Sequence, residues 1–294
     1  MRAVAASGVT GETRTGYALV APAFAMLVLV LGLPALSAVL QSFNLVMSRT
    51  PGFSLASYER LVTDPEFRQT IANTVAYVSG VVAIHLALGL SVALLLNADI
   101  RGKWFFRVVA LLPWTVPDVI GGIIWRFMFD ALPGMVNAVV IRSGLADAPV
   151  DWLGDPQLAF AALVLAEGWR GYPFIMLILL AGLQSIPRTL YEAAAMDGAR
   201  AWQSFLYVTL PNLKNMFIIA LVLDVIWECR LFGMVFGMTA GGPGNATQVL
   251  SVMTYRQYFE FFNTSYASAA AVVLAVFMLA ISIPYLRMSM RVTA

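Results

Sequence analysis

The chain has 294 residues, 60% of them hydrophobic and only 12% charged, with a mean hydropathy of +0.81. A soluble globular domain carries about a quarter charged residues, so these figures exclude a soluble fold and describe an all-α polytopic membrane protein. The net charge of +2 says little, because in such a protein the placement of charge matters more than its sum. One cysteine, Cys229, and one histidine, His85, leave no material for a disulfide framework, a Cys/His metal cluster or a hydrolytic triad.

Residues 1–16 are polar and rich in Gly, Ser and Thr and read as an N-terminal tail. No cleavable signal peptide is expected, since the first apolar run is long enough to span. A spanning helix needs about 20 mostly apolar residues. Six stretches qualify: Tyr17–Leu40, Ile71–Leu96, Trp104–Phe129, Leu158–Leu183, Met216–Met238 and Ala267–Arg287. The third contains Pro113, Pro117 and Asp118, which predicts a kink whose freed backbone groups are satisfied by neighbouring helices. Lys and Arg placement orients the bundle. With the N-terminus inside, the inner segments carry Arg2, Arg14, Arg101, Lys103, Arg107, Arg188, Arg200, Lys214, Arg287 and Arg291. The outer segments carry only Arg49, Arg60, Arg68, Arg142 and Arg256. Both termini and the connector between the fourth and fifth spans are therefore expected in the cytoplasm.

The outer connections are then long. Gln41–Thr70 is expected to hold a short surface helix near Tyr58 to Arg68. Asp130–Gln157 is acidic. Thr239–Tyr266 opens with Ala240-Gly241-Gly242-Pro243-Gly244-Asn245, where the glycines permit positive φ and a tight reversal. No GK[ST] follows, so a phosphate-binding reading fails. No internal repeat or low-complexity segment stands out.

Ionisable residues inside spans cost about 2.5–3.5 kcal/mol on insertion scales and normally face a cavity or a partner. In the fifth span Asp224, Trp227, Glu228 and Leu231 share one helical face, flanked by Arg230. In the fourth, Glu167 and Arg170 share a face, with Trp169 beside them. In the third, Asp118 follows the Pro117 kink. Carboxylates accept hydrogen bonds from sugar hydroxyls, and an aromatic face packs the C–H side of a sugar ring. One reading places Asp118, Glu167, Trp169, Arg170, Asp224, Trp227, Glu228 and Arg230 along a translocation path. The other makes the charges inter-helix ties that fix packing. His85 reads as a buried, hydrogen-bonded residue. No catalytic or metal-ligating set is assigned, and nothing marks a nucleic-acid partner.

The connector Pro187–Lys214 is a polar island between apolar runs. Pro187 suits a first helical turn, Glu192 to Met196 are mostly good helix formers, and Gly198 marks a corner. A second piece, Ala201 to Leu210, puts Trp202, Phe205, Leu206 and Thr209 on one face, and Pro211 is expected to close it. Glu192-Ala193-Ala194, Asp197-Gly198, Val208, Leu210 and Pro211 resemble the EAA loop of the transmembrane subunits of binding-protein-dependent ABC importers. Isoleucine is usual where Val208 stands. Thr239 to Thr247, Tyr255 to Phe259, Tyr266 to Ala269 and Glu167 to Phe174 extend the likeness toward the maltose and glycerol-3-phosphate branch of carbohydrate importers, over roughly Ile71 to Arg287.

The resemblance implies a type I importer fold, with a permease domain over 67–287 and coupling to an ATPase through Glu192, Ala193, Ala194, Asp197, Gly198, Leu210 and Pro211. It implies a second homologous permease subunit, an ATPase dimer, an extracytoplasmic substrate-binding protein and a sugar or polyol substrate, all within membrane lipid. The chain has no nucleotide-binding motif, so it is expected to bind no cofactor, with ATP and Mg2+ held by the partner ATPase. An ion-coupled secondary transporter explains the intramembrane carboxylates but not the connector. A membrane-embedded enzyme using Asp118, Glu167 or Asp224 lacks a nucleophile.

Overall fold

The computed structural model describes residues 5–47, 51–132 and 134–292, with side chains described over 13–47, 51–132 and 134–283. Among the described residues there are helices and no strands. Five helices are long and apolar enough to cross a membrane, or six if one bent pair counts as a span. The chain divides into two compact units, Met1–Thr63 with Gln257–Val272, and Asp64–Arg256 with Val273–Ala294.

In the first unit, α1 (Ala5–Leu27) runs through a π-helical turn, Val28–Gly32, into α2 (Leu33–Ser42). Helix thus begins inside the stretch read as a tail; Met1 to Val4 of that tail lie outside the described residues, as does Arg49. None of the most apolar window of Thr13–Ser42 is buried. The expected surface helix is α3 (Ala56–Thr63). Its Tyr58 hydroxyl meets Ser42 Oγ at 2.8 Å, and Ser268 Oγ donates to Gln41 Oε1 at 3.0 Å.

The second unit is built on α4 (Pro65–Asn97) and α8 (Pro156–Gln184). Each starts at an Asp-Pro pair. Asp64 accepts from the backbone N–H of Glu66 at 2.9 Å, and Asp155 accepts from those of Gln157 and Leu158 at 2.9 Å. Aspartate caps the orphan amides, and proline at the first position has none to lose. The two helices pack closely because small residues line their contact: a Cβ at Gly168 would lie 2.6 Å from Ile84. Without a strong hydrophobic drive in lipid, such close approach is what holds spans together.

The third predicted span is two helices. α5 (Lys103–Leu111) passes through a 3-10 turn, Leu112–Thr115, and meets α6 (Asp118–Met128) at 92°. Pro113 and Pro117 flank that break, so the expected kink is a corner. A short α7 (Met135–Arg142) follows.

After α8 come α9 (Arg188–Met196) and α10 (Ala201–Ser204), then a π-helical turn, Phe205–Thr209, and α11 (Leu210–Cys229). Helix is continuous from Ala201 to Cys229, so Pro211 does not end it. Proline lacks an N–H, and the π turn just before it is a local break in the i→i−4 ladder that tolerates the loss. The fifth span therefore ends at Cys229, not Met238. Residues Gly233–Met238 form a separate α12 laid against α6, with Gly122 and Gly237 at the closest backbone approach. That stretch is apolar because protein buries it.

Glycine-rich residues 239–248 form the expected reversal, with Gly241 at φ +89° and Asn245 at φ +65°. Gln248 Nε2 donates to Glu66 Oε1 at 2.8 Å, and Asn73 Nδ2 donates to the Asn245 carbonyl at 2.9 Å, fastening the loop to the start of α4. α13 (Leu250–Tyr255) and α14 (Thr264–Val292) complete the chain.

Candidate functional site

Helices α4, α8 and α11 bring six polar side chains into one apolar core. Tyr77 and His85 come from α4, Glu167 and Arg170 from α8, Asp224 and Glu228 from α11. All are 6% exposed or less. Arg170 Nε donates to Glu167 Oε2 at 2.8 Å, and Nη2 donates to Oε1, so the pair is bidentate. The parallel fork is the strongest carboxylate contact an arginine makes. His85 Nδ1 lies 3.0 Å and 3.1 Å from the two Asp224 oxygens, and Nε2 lies 3.1 Å from the Glu167 carbonyl. His85 is thus the buried, hydrogen-bonded residue expected, and it ties all three helices together. Glycine at 171 makes room for it, since a Cβ there would come 2.3 Å from the imidazole.

The eight residues read as a translocation path separate into two groups. Glu167, Arg170, Asp224 and Glu228 lie in the buried core. Trp169 and Trp227 are 42% and 38% exposed, Arg230 is exposed and Asp118 half-buried. Trp227 belongs to an aromatic strip. Its ring centroid is 5.7 Å from Phe174, Phe174 is 6.1 Å from Trp114, and the Arg230 guanidinium lies 4.8 Å from the Trp227 ring. Trp169 stands elsewhere, edge-on to Trp125 at 5.5 Å, beside an apolar cavity of about 690 Å³ bordered by Val92, Phe106, Pro113 and Tyr172. Asp118 sits over Gly233, where a Cβ would approach its carboxylate within 2.5 Å.

Sequence reasoning passed over Tyr77, Trp114 and Phe174. Tyr77 and His85 are eight residues apart, a spacing that falls within one broad helical stripe; that signal was present. Trp114 had none, because it depends on the 3-10 turn between two prolines.

The connector is as well ordered as the core. α9 ends in a full Schellman motif around Gly198 at φ +77°. Ala199 N–H donates to the Ala194 carbonyl at 2.9 Å, and Gly198 N–H to the Ala195 carbonyl at 3.0 Å, the two bonds that define it. The Tyr191 hydroxyl meets Thr209 Oγ1 at 3.0 Å, tying α9 to the π turn. Glu192, Ala193, Asp197 and Gly198 are exposed and Ala194 half-buried. Met196 is 88% exposed, Tyr207 74% and Trp202 56%. Of the face Trp202, Phe205, Leu206 and Thr209, only Thr209 is buried. Among the described residues Glu192 forms no salt bridge.

Residues 85–292 match the family model described as "Binding-protein-dependent transport system inner membrane component". The chain belongs to that family. It is an ABC transporter permease, a multi-pass component of the inner membrane. The trehalose/maltose transport system permease protein MalF of Thermococcus litoralis is 35% identical over 94% of each chain. The sulfoquinovosyl glycerol transport system permease protein SmoG of Agrobacterium fabrum is 35% identical over 94% of this chain and 91% of its own. In fold, the permease is similar to a chain of a bacterial ABC transporter involved in the import of the acidic polysaccharide alginate, with a TM-score of 0.82 at 22% identity, covering 97% of this chain and 98% of that one. The type I importer fold expected from the connector is the fold observed.

Proposed function

We propose that this permease carries a sugar or sugar-like polyol inward across the membrane by alternating access, as one subunit of an ATP-driven importer. A soluble extracytoplasmic protein delivers the substrate, a second homologous permease completes the path, and an ATPase dimer, which binds the ATP and Mg2+, grips the connector. The supporting observation is mechanical. One continuous helix, Ala201–Cys229, with a π turn at Phe205–Thr209, begins in the exposed connector and carries Asp224, Trp227 and Glu228. The Tyr191–Thr209 hydrogen bond joins α9 to that helix. A displacement of α9 by a partner therefore moves the start of a continuous helix whose far end holds the core and the Trp227 strip. A ligand or motor shifts an equilibrium only through contacts that differ between its two states, and Glu192 to Gly198 offer such contacts.

The substrate class rests on the two 35%-identical relatives, whose names specify glycosides, and on the aromatic strip. Trp114, Phe174 and Trp227 offer ring faces to sugar C–H groups, while Arg230 and Asp118 offer a donor and an acceptor for hydroxyls. Glu167, Arg170 and Asp224, joined through His85, hold the helices that carry those groups. The test is reconstitution of the four components in proteoliposomes. Uptake of a disaccharide such as trehalose should require ATP and the binding protein, and Ala194→Cys should crosslink to the ATPase. Uptake that follows an ion gradient without ATP would overturn the reading.

A further inference from the structure

Three carboxyl groups and two cationic groups converge where α4, α8 and α11 meet. Arg170 and Glu167 form one neutral pair. His85 and Asp224 form another, wherever their proton resides. The Glu167 carbonyl can only accept, so His85 Nε2 carries a hydrogen. One more hydrogen must lie on the contact between Nδ1 and Asp224. On Nδ1 it makes imidazolium against carboxylate; on Asp224 it makes imidazole against acid. Both arrangements are neutral.

Glu228 is left over. It is 3% exposed, and its Oε2 has no hydrogen-bond partner. The Tyr77 hydroxyl is buried, faces the Glu228 carboxyl outside good hydrogen-bonding geometry, and has no other partner among the described residues. The other groups that face Glu228 are His85 from α4, Glu167 and Arg170 from α8, and Asp224 and Cys229 from its own helix. Asp118 of α6 acts on the Glu167–Arg170 pair and brings further negative charge. Buried polar atoms without partners are few in folded proteins, and a lone carboxylate inside a membrane protein is a marker of bound charge. Side-chain ligand atoms of His85, Glu167 and Glu228 come within 4.8 Å of one another. A multivalent metal does not fit them, because both His85 nitrogens and both Glu167 oxygens are already engaged. One uncompensated charge remains.

We propose that this core binds one small monovalent cation, a proton or a sodium ion, at the Glu228 carboxylate, with the Tyr77 hydroxyl as its second oxygen partner. The site lies inside a single permease subunit and does not depend on which substrate is carried.

The test uses the full transporter complex in lipid nanodiscs. Its thermal unfolding midpoint is followed while sodium replaces choline at fixed pH, and while pH varies at fixed sodium. A sodium-dependent rise that disappears in Glu228→Gln identifies sodium. A carbonyl stretch of a protonated carboxyl in the infrared spectrum, missing in Glu228→Gln, identifies a proton. The amide mimics the occupied site, so the variant should match the wild type's highest midpoint. Should Glu228→Gln fail to assemble, Tyr77→Phe decides: loss of one hydroxyl should weaken the apparent cation affinity about threefold. Wild type with neither signal, Glu228→Gln with an unchanged signal, or Tyr77→Phe with unchanged affinity overturns the proposal.

Discussion

The core of α4, α8 and α11 and the connector from Pro187 to Lys214 treat polar groups in opposite ways. In the core, Arg170, Glu167, His85 and Asp224 find their partners in one another. In the connector, the Schellman bonds at Gly198 close the end of α9, while Glu192, Met196 and Trp202 are exposed. The first arrangement keeps helices in register. The second keeps a shape and leaves its side chains free for another protein. Substitutions in the core should therefore damage the fold, and substitutions of the connector's exposed side chains should damage transport with the fold intact.

The largest effect is expected for Arg170→Ala. It leaves Glu167 buried and unpaired, a loss of about 3–5 kcal/mol, and the subunit should fail to accumulate in the membrane. Replacing the pair together, as Glu167→Leu with Arg170→Met, removes both charges at similar volume. Accumulation should recover, as read by membrane yield and thermal unfolding. A double variant as poor as the single one would show that the pair does more than satisfy itself. Gly171→Ala comes next. Its methyl group would press on the imidazole, breaking the His85 contacts to Asp224 and Glu167 at a cost of about 1–3 kcal/mol. Wild-type stability in this variant would mean that α4 and α8 separate without loss, and that the core is not the register device described above.

The two regions also differ in how far the sequence reveals them. Hydropathy places the second and fourth spans at Ile71 and Leu158, and their helices start earlier, at Pro65 and Pro156, because Asp64-Pro65 and Asp155-Pro156 are cap signals that hydropathy does not weigh. The fifth was misread at its outer end. Hydropathy cannot distinguish Gly233–Met238, apolar because it packs on α6, from apolar because it meets lipid. The corner at Pro113 and Pro117 was visible as a kink, but its 92° angle is set by what α6 packs against. Charge pairing in the core was legible only as a choice between a path and a tie, since helical spacing gives a face and not a neighbour. His85–Asp224 joins residues far apart in the chain, and no local pattern encodes it. The connector was legible throughout, apart from the π turn that lets helix run through Pro211, because its corner and cap are local chemistry.

The smallest effect on stability, and the sharpest test of the contrast, is expected in the connector. Gly198→Ala places a Cβ in the left-handed region at φ +77°, a cost of roughly 1–2 kcal/mol, and should lower the unfolding midpoint while leaving some coupling. Glu192→Lys reverses an exposed charge that has no ion-pair partner among the described residues, so its stability should stay within about 0.5 kcal/mol of wild type. Stimulation of ATP hydrolysis by the loaded binding protein should nevertheless be lost, because the reversed charge meets the ATPase at the point where motion enters Ala201–Cys229. The pair of measurements separates the two roles: a Glu192→Lys protein with normal stability and normal stimulation would remove Glu192 from the docking surface, whereas one that unfolds early would make Glu192 part of what holds the fold together.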